Sequence, residues 1–242
     1  MNFVLVTGAS RGIGRSIAIR LAQEKHNVII GFKTDIASAK SVEEQCKTYG
    51  VNTLLLQIDV SNRVSVREKM NELVSLDIKL DSLINNAGIN NPTDFDKISD
   101  TDWDEIINTN LKGPFICIQE SLRLLNDGGS IVNIGSVSGQ YGGPRTAHYA
   151  VSKAGLISLT QLVARFLAHK NIRCNIVAAG LIDSEMGSQG LKNKSVFNVS
   201  NNILLGRLGL PSEVADVVAY LVSKNATYIT AQTINVNGGL YF

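Results

Sequence analysis

Cysteine is scarce in this chain, and its spacing excludes several chemistries. Cys46, Cys117 and Cys174 are the only three among 242 residues. They are far apart and odd in number, so they form neither a disulfide framework nor a metal cluster. Scattered structural thiols fit a reducing compartment. Charge is sparse as well. Asp, Glu, Lys and Arg make up 18% of the chain, below the usual value of about a quarter. This points to much buried surface, part of it between subunits. The formal net charge of +2 lacks the basic footprint of a nucleic-acid binder. No apolar run approaches the roughly 20 residues of a membrane span. No charged region precedes an apolar stretch in Met1-Asn2-Phe3-Val4-Leu5-Val6, so no signal peptide is expected. The expectation is a soluble, cytoplasmic protein without nucleic-acid or membrane partners.

What is present is an alternation. Short Val/Ile/Leu-rich runs at 3–6, 27–31, 53–58, 82–84, 130–134, 173–177 and 233–236 read as strands buried on both faces. Helical patterns lie between them, at 14–25, 36–49, 64–76, 101–125, 147–169 and 212–222. Repeated βα units imply a parallel sheet with right-handed crossovers. The expected fold is α/β, one domain over residues 1–242, with a seven-stranded, doubly wound parallel sheet and helices on both faces. Residues 183–205 are polar and carry no strong period. They read as an excursion over the strand ends, and a substrate lid is the functional reading. Met186, Leu191 and Phe197 are its bulky members.

Thr7-Gly8-Ala9-Ser10-Arg11-Gly12-Ile13-Gly14 sits between the first strand and the first helix. Glycines there let backbone approach a phosphate, and the helix N-terminus attracts its charge. The end of the second strand selects the dinucleotide, because an acidic residue there would bind a ribose 2′-hydroxyl. This chain has Gly31-Phe32-Lys33-Thr34 instead. Lys33, with Arg11 from the other side, suits a 2′-phosphate, although Asp35 follows closely. Asp59-Val60 follows the third strand, where an adenine would sit. Asn85-Asn86-Ala87-Gly88 follows the fourth, with small residues that allow close approach.

Tyr149 and Lys153 are four residues apart in a helical pattern, hence on one face. An ammonium there stabilises the phenolate and lowers the phenol from its usual pKa of about 10. Such a Tyr can exchange a proton with a carbonyl or alcohol. Ser136 ends the fifth strand, where ligands of open α/β sheets bind, and its hydroxyl can polarise a carbonyl. Asn110 falls inside a helical pattern, a mildly unfavourable place, which argues for a structural or catalytic duty.

These motifs, in this order and spacing, resemble the short-chain dehydrogenase/reductases essentially from end to end. Within that family the chain is most similar to β-ketoacyl-acyl-carrier-protein reductases, through the Gly-rich turn, Gly206-Arg207-Leu208-Gly209 and Asn235-Val236-Asn237-Gly238-Gly239. The resemblance implies a Rossmann-type fold, NADPH as cofactor and a catalytic tetrad of Asn110, Ser136, Tyr149 and Lys153. It implies that Tyr149 donates the proton, that Lys153 also binds the nicotinamide ribose, and that Asn110 holds a water. It adds Gly180 and Ile182 to the cofactor contacts, beside Gly8, Ser10, Arg11, Gly12, Ile13, Gly14, Lys33, Asp59, Val60, Asn86, Ala87 and Gly88. The implied substrate is a 3-oxoacyl thioester on acyl carrier protein, in fatty-acid, polyketide or polyene synthesis. Alternatives are reduction of a small free ketone, sugar or steroid, or a silent NADP(H)-sensing protein. The implied assembly is a homotetramer packed through the helices at 101–125 and 147–169. Lys170 and Arg123 are candidate contacts for an acidic carrier. The chain departs from the family pattern at Ala178-Ala179-Gly180, where Pro-Gly is frequent, at Ala231, where Gly is common, and at 125–129, which lacks a basic cluster.

Overall fold

The computed structural model describes residues 1–184 and 201–242. Seven strands form one sheet: β1 (Asn2–Val6), β2 (Val28–Phe32), β3 (Thr53–Gln57), β4 (Lys79–Asn85), β5 (Leu125–Ser136), β6 (Arg173–Ala179) and β7 (Thr233–Val236). Their order is β3-β2-β1-β4-β5-β6-β7, and every pairing is parallel. The chain runs outward from β1 to β3, then returns to lay β4 beside β1. That reversal opens a crevice at the carboxyl ends, the place where such sheets take ligands.

Helices α1 (Gly12–Gln23), α2 (Ile36–Lys47), α3 (Arg63–Ser75), α4 (Asp100–Ile107), α5 (Gly113–Ser121), α6 (Ser138–Tyr141), α7 (Ala147–Leu167) and α8 (Pro211–Val222) cover the two faces. The period of two along the strands decides what each face buries. In β1, Val4 and Val6 face a core with Ile17 and Leu21 of α1, Val42 of α2 and Val218 of α8. Phe3 and Leu5 face the opposite core, with Met70 of α3, Ile116 of α5 and Val163 of α7. Full burial of one such side chain stabilises by about 1.5–3 kcal/mol, and β1 contributes to both layers. Cys46, Cys117 and Cys174 are buried and unbridged. Burial pushes the Cys46 thiol up to about 11 and the Cys117 thiol up to about 12.

Three local expectations change. The helix expected at 101–125 is two helices joined by a π-helical turn, Asn108–Lys112, and it ends at Ser121. Pro114 explains the break: it has no N–H for the carbonyl of Asn110, and its ring would crowd that carbonyl in a regular turn. The fifth strand begins at Leu125 rather than at 130. Gly129 fits there because a Cβ would lie 2.8 Å from the Asp81 carbonyl oxygen. The segment Ala147–Lys170 is long and apolar enough by composition to cross a membrane, with a mean hydropathy of 1.2. It packs on β5 and β6 as a core helix of this fold. Ala231 adopts φ 60°, the left-handed region that favours glycine, at the position where the family commonly has Gly.

Most of the excursion expected at 183–205, with Met186, Leu191 and Phe197, lies outside the described residues. Its two ends meet at the base: Asp183 N donates to Gly209 O at 2.8 Å, and Gly209 N donates to Leu181 O at 3.0 Å.

Candidate active site

One cavity of about 590 Å³ opens at the carboxyl ends of the strands. Every cofactor or catalytic residue nominated from the sequence lines it, except Asn110. Its two ends are built differently.

At the first end, Gly8 turns the chain at φ 63°, and a Cβ on it would lie 2.8 Å from Ala87 Cα. A Cβ on Gly14 would collide with the Gly8 carbonyl oxygen and with Asn86 Nδ2. Asn86 clamps this turn. Its Nδ2 donates to Thr7 O at 3.0 Å and to Gly8 O at 2.9 Å, while Thr7 Oγ1 accepts from Asn86 N and Ala87 N at 3.0 and 3.1 Å. Residue 11 is extended, and its side chain does not cap α1. The first amides of α1 therefore have no side-chain acceptor from that residue, and they meet the cavity at Gly12, Ile13 and Gly14. Such a helix start is an anion site. The glycine cradle and these amides together fit the pyrophosphate of a dinucleotide.

At the edge of β2, both neighbouring carboxylates are engaged. Asp35 caps α2, accepting from Ser38 N at 2.9 Å and Ser38 Oγ at 2.7 Å. Asp59 Oδ2 is 2.9 Å from Lys33 Nζ and Oδ1 accepts from Ser61 N and Oγ. These partners hold the Asp59 carboxyl below its ordinary range, although burial, the largest single influence, acts the other way. Arg11 stands close enough to Asp35 to help lower its pKa, after the hydrogen bonds from Ser38. Arg11 and Lys33 stand on the cavity wall here beside these two carboxylates.

At the second end, β5 delivers Ser136 and α7 delivers Tyr149 and Lys153. The Ser136 hydroxyl stands close enough to the Tyr149 phenol to lower its pKa, and its Oγ accepts from Ser138 N at 3.1 Å. Lys153 is buried. Its Nζ donates to Ile134 O at 2.8 Å and lies 5.6 Å from the centroid of the Tyr149 ring. Burial lowers Lys153 to about 8. Burial also raises Tyr149, and the Ser136 hydrogen bond only partly opposes this. The Tyr–Lys spacing alone predicts the opposite direction for the phenol. The difference arises because sequence spacing carries the charge pair but not the desolvation that both groups undergo.

Asn110 is fully buried in the π-helical turn. Its Oδ1 accepts from Ile89 N at 2.8 Å, and its Nδ2 donates to Ile89 O at 2.8 Å. It also reaches Ser152 Oγ on α7 at 3.3 Å. The side chain therefore pins the loop after β4 to α7. A Cβ on Gly88 would lie 3.3 Å from Asn110 Oδ1 and 3.6 Å from Lys153 Nζ, so the small residue keeps space above both.

Gly180 and Ile182 lie on the wall beyond β6. Lys170 and Arg123 do not border the cavity. Lys170 follows α7, whose 21 residues span about 30 Å from the end that holds Tyr149. Arg123 precedes Leu124, whose carbonyl pairs with Leu80 at the start of β4, at the opposite edge of the sheet. The sequence also leaves several wall residues unmarked, Tyr141, Gly143, Pro144 and Thr146 among them. The only signal for Tyr141 is a lone aromatic between glycines after the fifth strand.

Residues 8–241 match the family described as Enoyl-(Acyl carrier protein) reductase. The chain is 43% identical over 239 residues to the 3-oxoacyl-[acyl-carrier-protein] reductase FabG of Staphylococcus aureus, covering 98% of this chain and 97% of that protein. It is 39% identical over 242 residues to the protein of the same name from Aquifex aeolicus, covering 98% and 96%. Among solved structures, a short-chain dehydrogenase/reductase from Serratia marcescens superimposes with a TM-score of 0.91 at 32% identity, covering 99% of this chain and 96% of that one. A short chain dehydrogenase from Burkholderia cenocepacia in complex with NADP gives 0.92 at 31% identity, covering 99% and 97%. With the Gly-rich turn, the Ser136–Tyr149–Lys153 arrangement and the sheet order in agreement, the chain belongs to the short-chain dehydrogenase/reductase family.

Proposed function

We propose that the protein is an NADPH-dependent 3-oxoacyl-[acyl-carrier-protein] reductase, acting in fatty-acid synthesis on the ketone of a carrier-bound 3-oxoacyl thioester. The observation that carries this reading is the pairing of the Ser136 and Tyr149 hydroxyls at the cleft, with Lys153 beside the Tyr149 ring. Two hydroxyls converging on one point suit a single ketone oxygen. The near full-length identity to proteins named for this activity supports the substrate class.

The bound dinucleotide supplies the hydride. The protein supplies orientation and a proton. Ser136 holds the ketone oxygen and keeps Tyr149 aimed at it. Tyr149, raised by burial, is protonated at neutral pH and gives its proton to the developing alkoxide. Lys153 stabilises the resulting phenolate and presents further N–H donors toward the ribose. Asn110 acts as a positioning residue through Ile89 and Ser152. Its carbonyl, deprived of an N–H at Pro114, is the acceptor on that residue suited to the water that returns a proton to Lys153. Arg11 and Lys33 favour a 2′-phosphate: Asp35 is held by Ser38, and Lys33, now paired with Asp59, would turn from that carboxylate to the phosphate.

The assembly is a homotetramer in this reading. Phe115 of α5 and Val151, Leu162 and Phe166 of α7 are exposed apolar residues on the two helices expected to pack between subunits. Light scattering is expected to give the mass of four chains, and a monomer would remove this part of the reading. Buried, unbridged thiols support a cytoplasmic setting.

The deciding experiment follows loss of NADPH absorbance with acetoacetyl-carrier protein. Acetoacetyl thioester, simple ketones, crotonyl-carrier protein and NADH serve as comparisons. The reading predicts preference for the carrier-bound ketone with NADPH. Tyr149→Phe is expected to lose on the order of 10²–10⁴-fold in turnover, with NADPH binding retained. Turnover of free ketones alone, or wild-type turnover in Tyr149→Phe, would overturn it.

A further inference from the structure

The last residues of the chain form a brace across the cleft. Directly after β7, Asn237 Nδ2 donates to Tyr241 O at 2.7 Å, and Asn237 Oδ1 accepts from Gly239 N at 2.9 Å. Leu240 N donates to Asn237 O at 3.1 Å, so the chain folds back on itself here. The turn touches three parts of the site. A Cβ on Gly180 would lie 2.6 Å from Asn237 Cα, so the wall beyond β6 rests on it. Gly238 O accepts from Leu205 N at 3.1 Å, which ties down the returning end of the excursion. The Tyr241 ring stacks on the Tyr141 ring, with centroids 5.7 Å apart and planes 26° apart.

Tyr141 is the part of this stack that borders the cavity. It ends α6, only five residues beyond Ser136. Its position relative to the chemistry is fixed on the inner side, because a Cβ on Gly139 would lie 2.7 Å from the backbone carbon of Lys153. α6 therefore packs directly on the helix that carries Tyr149 and Lys153. On the outer side Tyr141 is followed by Gly142 and Gly143, and a Cβ on Gly142 would meet nothing within 4 Å. Tyr241 is the aromatic partner of the ring among the described residues.

We infer that Tyr141 is a specificity-determining wall for the acyl chain and that Tyr241 is the positioning residue that keeps it in place. The inference rests on the 3-oxoacyl thioester reading. Tyr141 and Tyr149 border one cavity, so an acyl group held at Tyr149 can extend toward the Tyr141 ring. A longer chain must displace the Tyr141 ring and break the stack. The wild-type protein accordingly prefers short acyl chains, and the preference is written at the C-terminus rather than beside the nucleophilic chemistry.

The test compares wild type, Tyr241→Ala and Tyr241→Phe on N-acetylcysteamine thioesters of 3-oxobutanoate, 3-oxooctanoate and 3-oxododecanoate. In wild type and Tyr241→Phe, kcat/KM is expected to fall with chain length. Tyr241→Ala is expected to lose roughly three- to tenfold on the butanoyl substrate, the fold-change an aromatic pair carries, mainly through KM. Its chain-length profile flattens. A second readout does not depend on turnover: fluorotyrosine at position 141 is followed by fluorine NMR, and its resonance should move in Tyr241→Ala but not in Tyr241→Phe. An unmoved resonance, or the same chain-length profile in an active wild type and in Tyr241→Ala, overturns the inference alone. A wild type that reduces none of the three thioesters while turning over other ketones overturns the functional reading, and the specificity role falls with it.

Discussion

The two walls of the cleft are held by different kinds of contact. On the dinucleotide side, backbone meets backbone. Added Cβ atoms on Gly8 and Gly31 would lie 2.8 Å from Ala87 Cα and 2.9 Å from the Val6 carbonyl oxygen, and one on Gly14 would strike the Gly8 carbonyl. On the substrate side, backbone contacts at Gly139 and Gly180 are joined by contacts between side chains. Tyr141 leans on Tyr241, and Arg145 Nε is 2.7 Å from Asp94 Oδ1 in an exposed ion pair. Arg145 itself holds φ 55°, a conformation that costs a non-glycine residue and must be compensated by its neighbours. Backbone contacts leave no rotamer through which to relax, whereas side-chain contacts do. Dinucleotide binding is therefore built on a rigid half, and the choice of substrate on a more adjustable one.

The largest effect is expected where the rigid half is broken. Gly14→Ala has no tolerated position for its methyl group, because both colliding atoms belong to the clamped turn: the Gly8 carbonyl and the amide of Asn86 that binds it. The turn and the start of α1 must move apart, and the anion site they form opens. NADPH affinity is expected to fall on the order of a hundredfold or more, about 3 kcal/mol. Calorimetric titration with NADPH checks this. Near-wild-type affinity in a folded variant would show that the cradle is less rigid than its contacts imply.

Lys153 stands where the two walls meet, and it gives the next largest effect. Burial lowers it from its ordinary 10.5 to about 8, while burial raises Tyr149. At neutral pH the phenol is protonated and the ammonium charged, as reduction requires. As the pH rises through about 8, the ammonium is lost, the phenolate loses its stabiliser, and ketone reduction falls by about tenfold per further unit. Stability moves the other way. Between about 8 and 10.5 the unfolded chain holds a proton on this lysine that the folded chain has released, so its contribution to stability rises with pH over that window. Below about 8 both states are protonated, and the penalty of burying the charge is complete. A pH–rate profile, with melting curves of wild type and Lys153→Met over the same range, tests both signs. A reduction rate that is flat through this window would show that the lysine charge is not required.

The same division explains what could be read from the sequence. The cradle, the small residues after β4, Ser136, Tyr149 and Lys153 were legible because each demands one residue type at one spacing. The parallel sheet and its helix layers followed from strands that are apolar on both faces. The π-helical turn was missed because hydrophobic periodicity runs across it, although Pro114 was the available signal. The start of β5 was hidden by Asn126-Asp127-Gly128-Gly129, which reads as a turn. The ambiguous Asp35 resolved only when its carboxylate was found capping α2. The direction of the Tyr149 pKa depended on burial, and the Tyr141–Tyr241 stack on two residues far apart in the chain. Neither burial nor such long-range pairing has a local signature.

Gly143→Ala is the counterpart of Gly14→Ala on the adjustable wall, and its effect should be the smallest. An added Cβ would lie 2.8 Å from Ser138 Oγ and 3.0 Å from Thr146 Oγ1. Both are terminal hydroxyls rather than backbone, and each can rotate about χ1. The Thr146 hydroxyl would give up its 3.1 Å bond to the Gly143 carbonyl and turn toward the cavity it already lines. Overpacking of this kind costs about 1 kcal/mol where neighbours can yield. NADPH affinity should be unchanged, because no atom of the cradle is touched, while KM for the thioester shifts by roughly two- to fivefold, consistent with that energy. Steady-state kinetics beside calorimetric NADPH titration separates the two walls. If Gly143→Ala weakened NADPH as strongly as Gly14→Ala, the walls would be one mechanical unit, and the contrast between a rigid dinucleotide half and an adjustable substrate half would have to be given up.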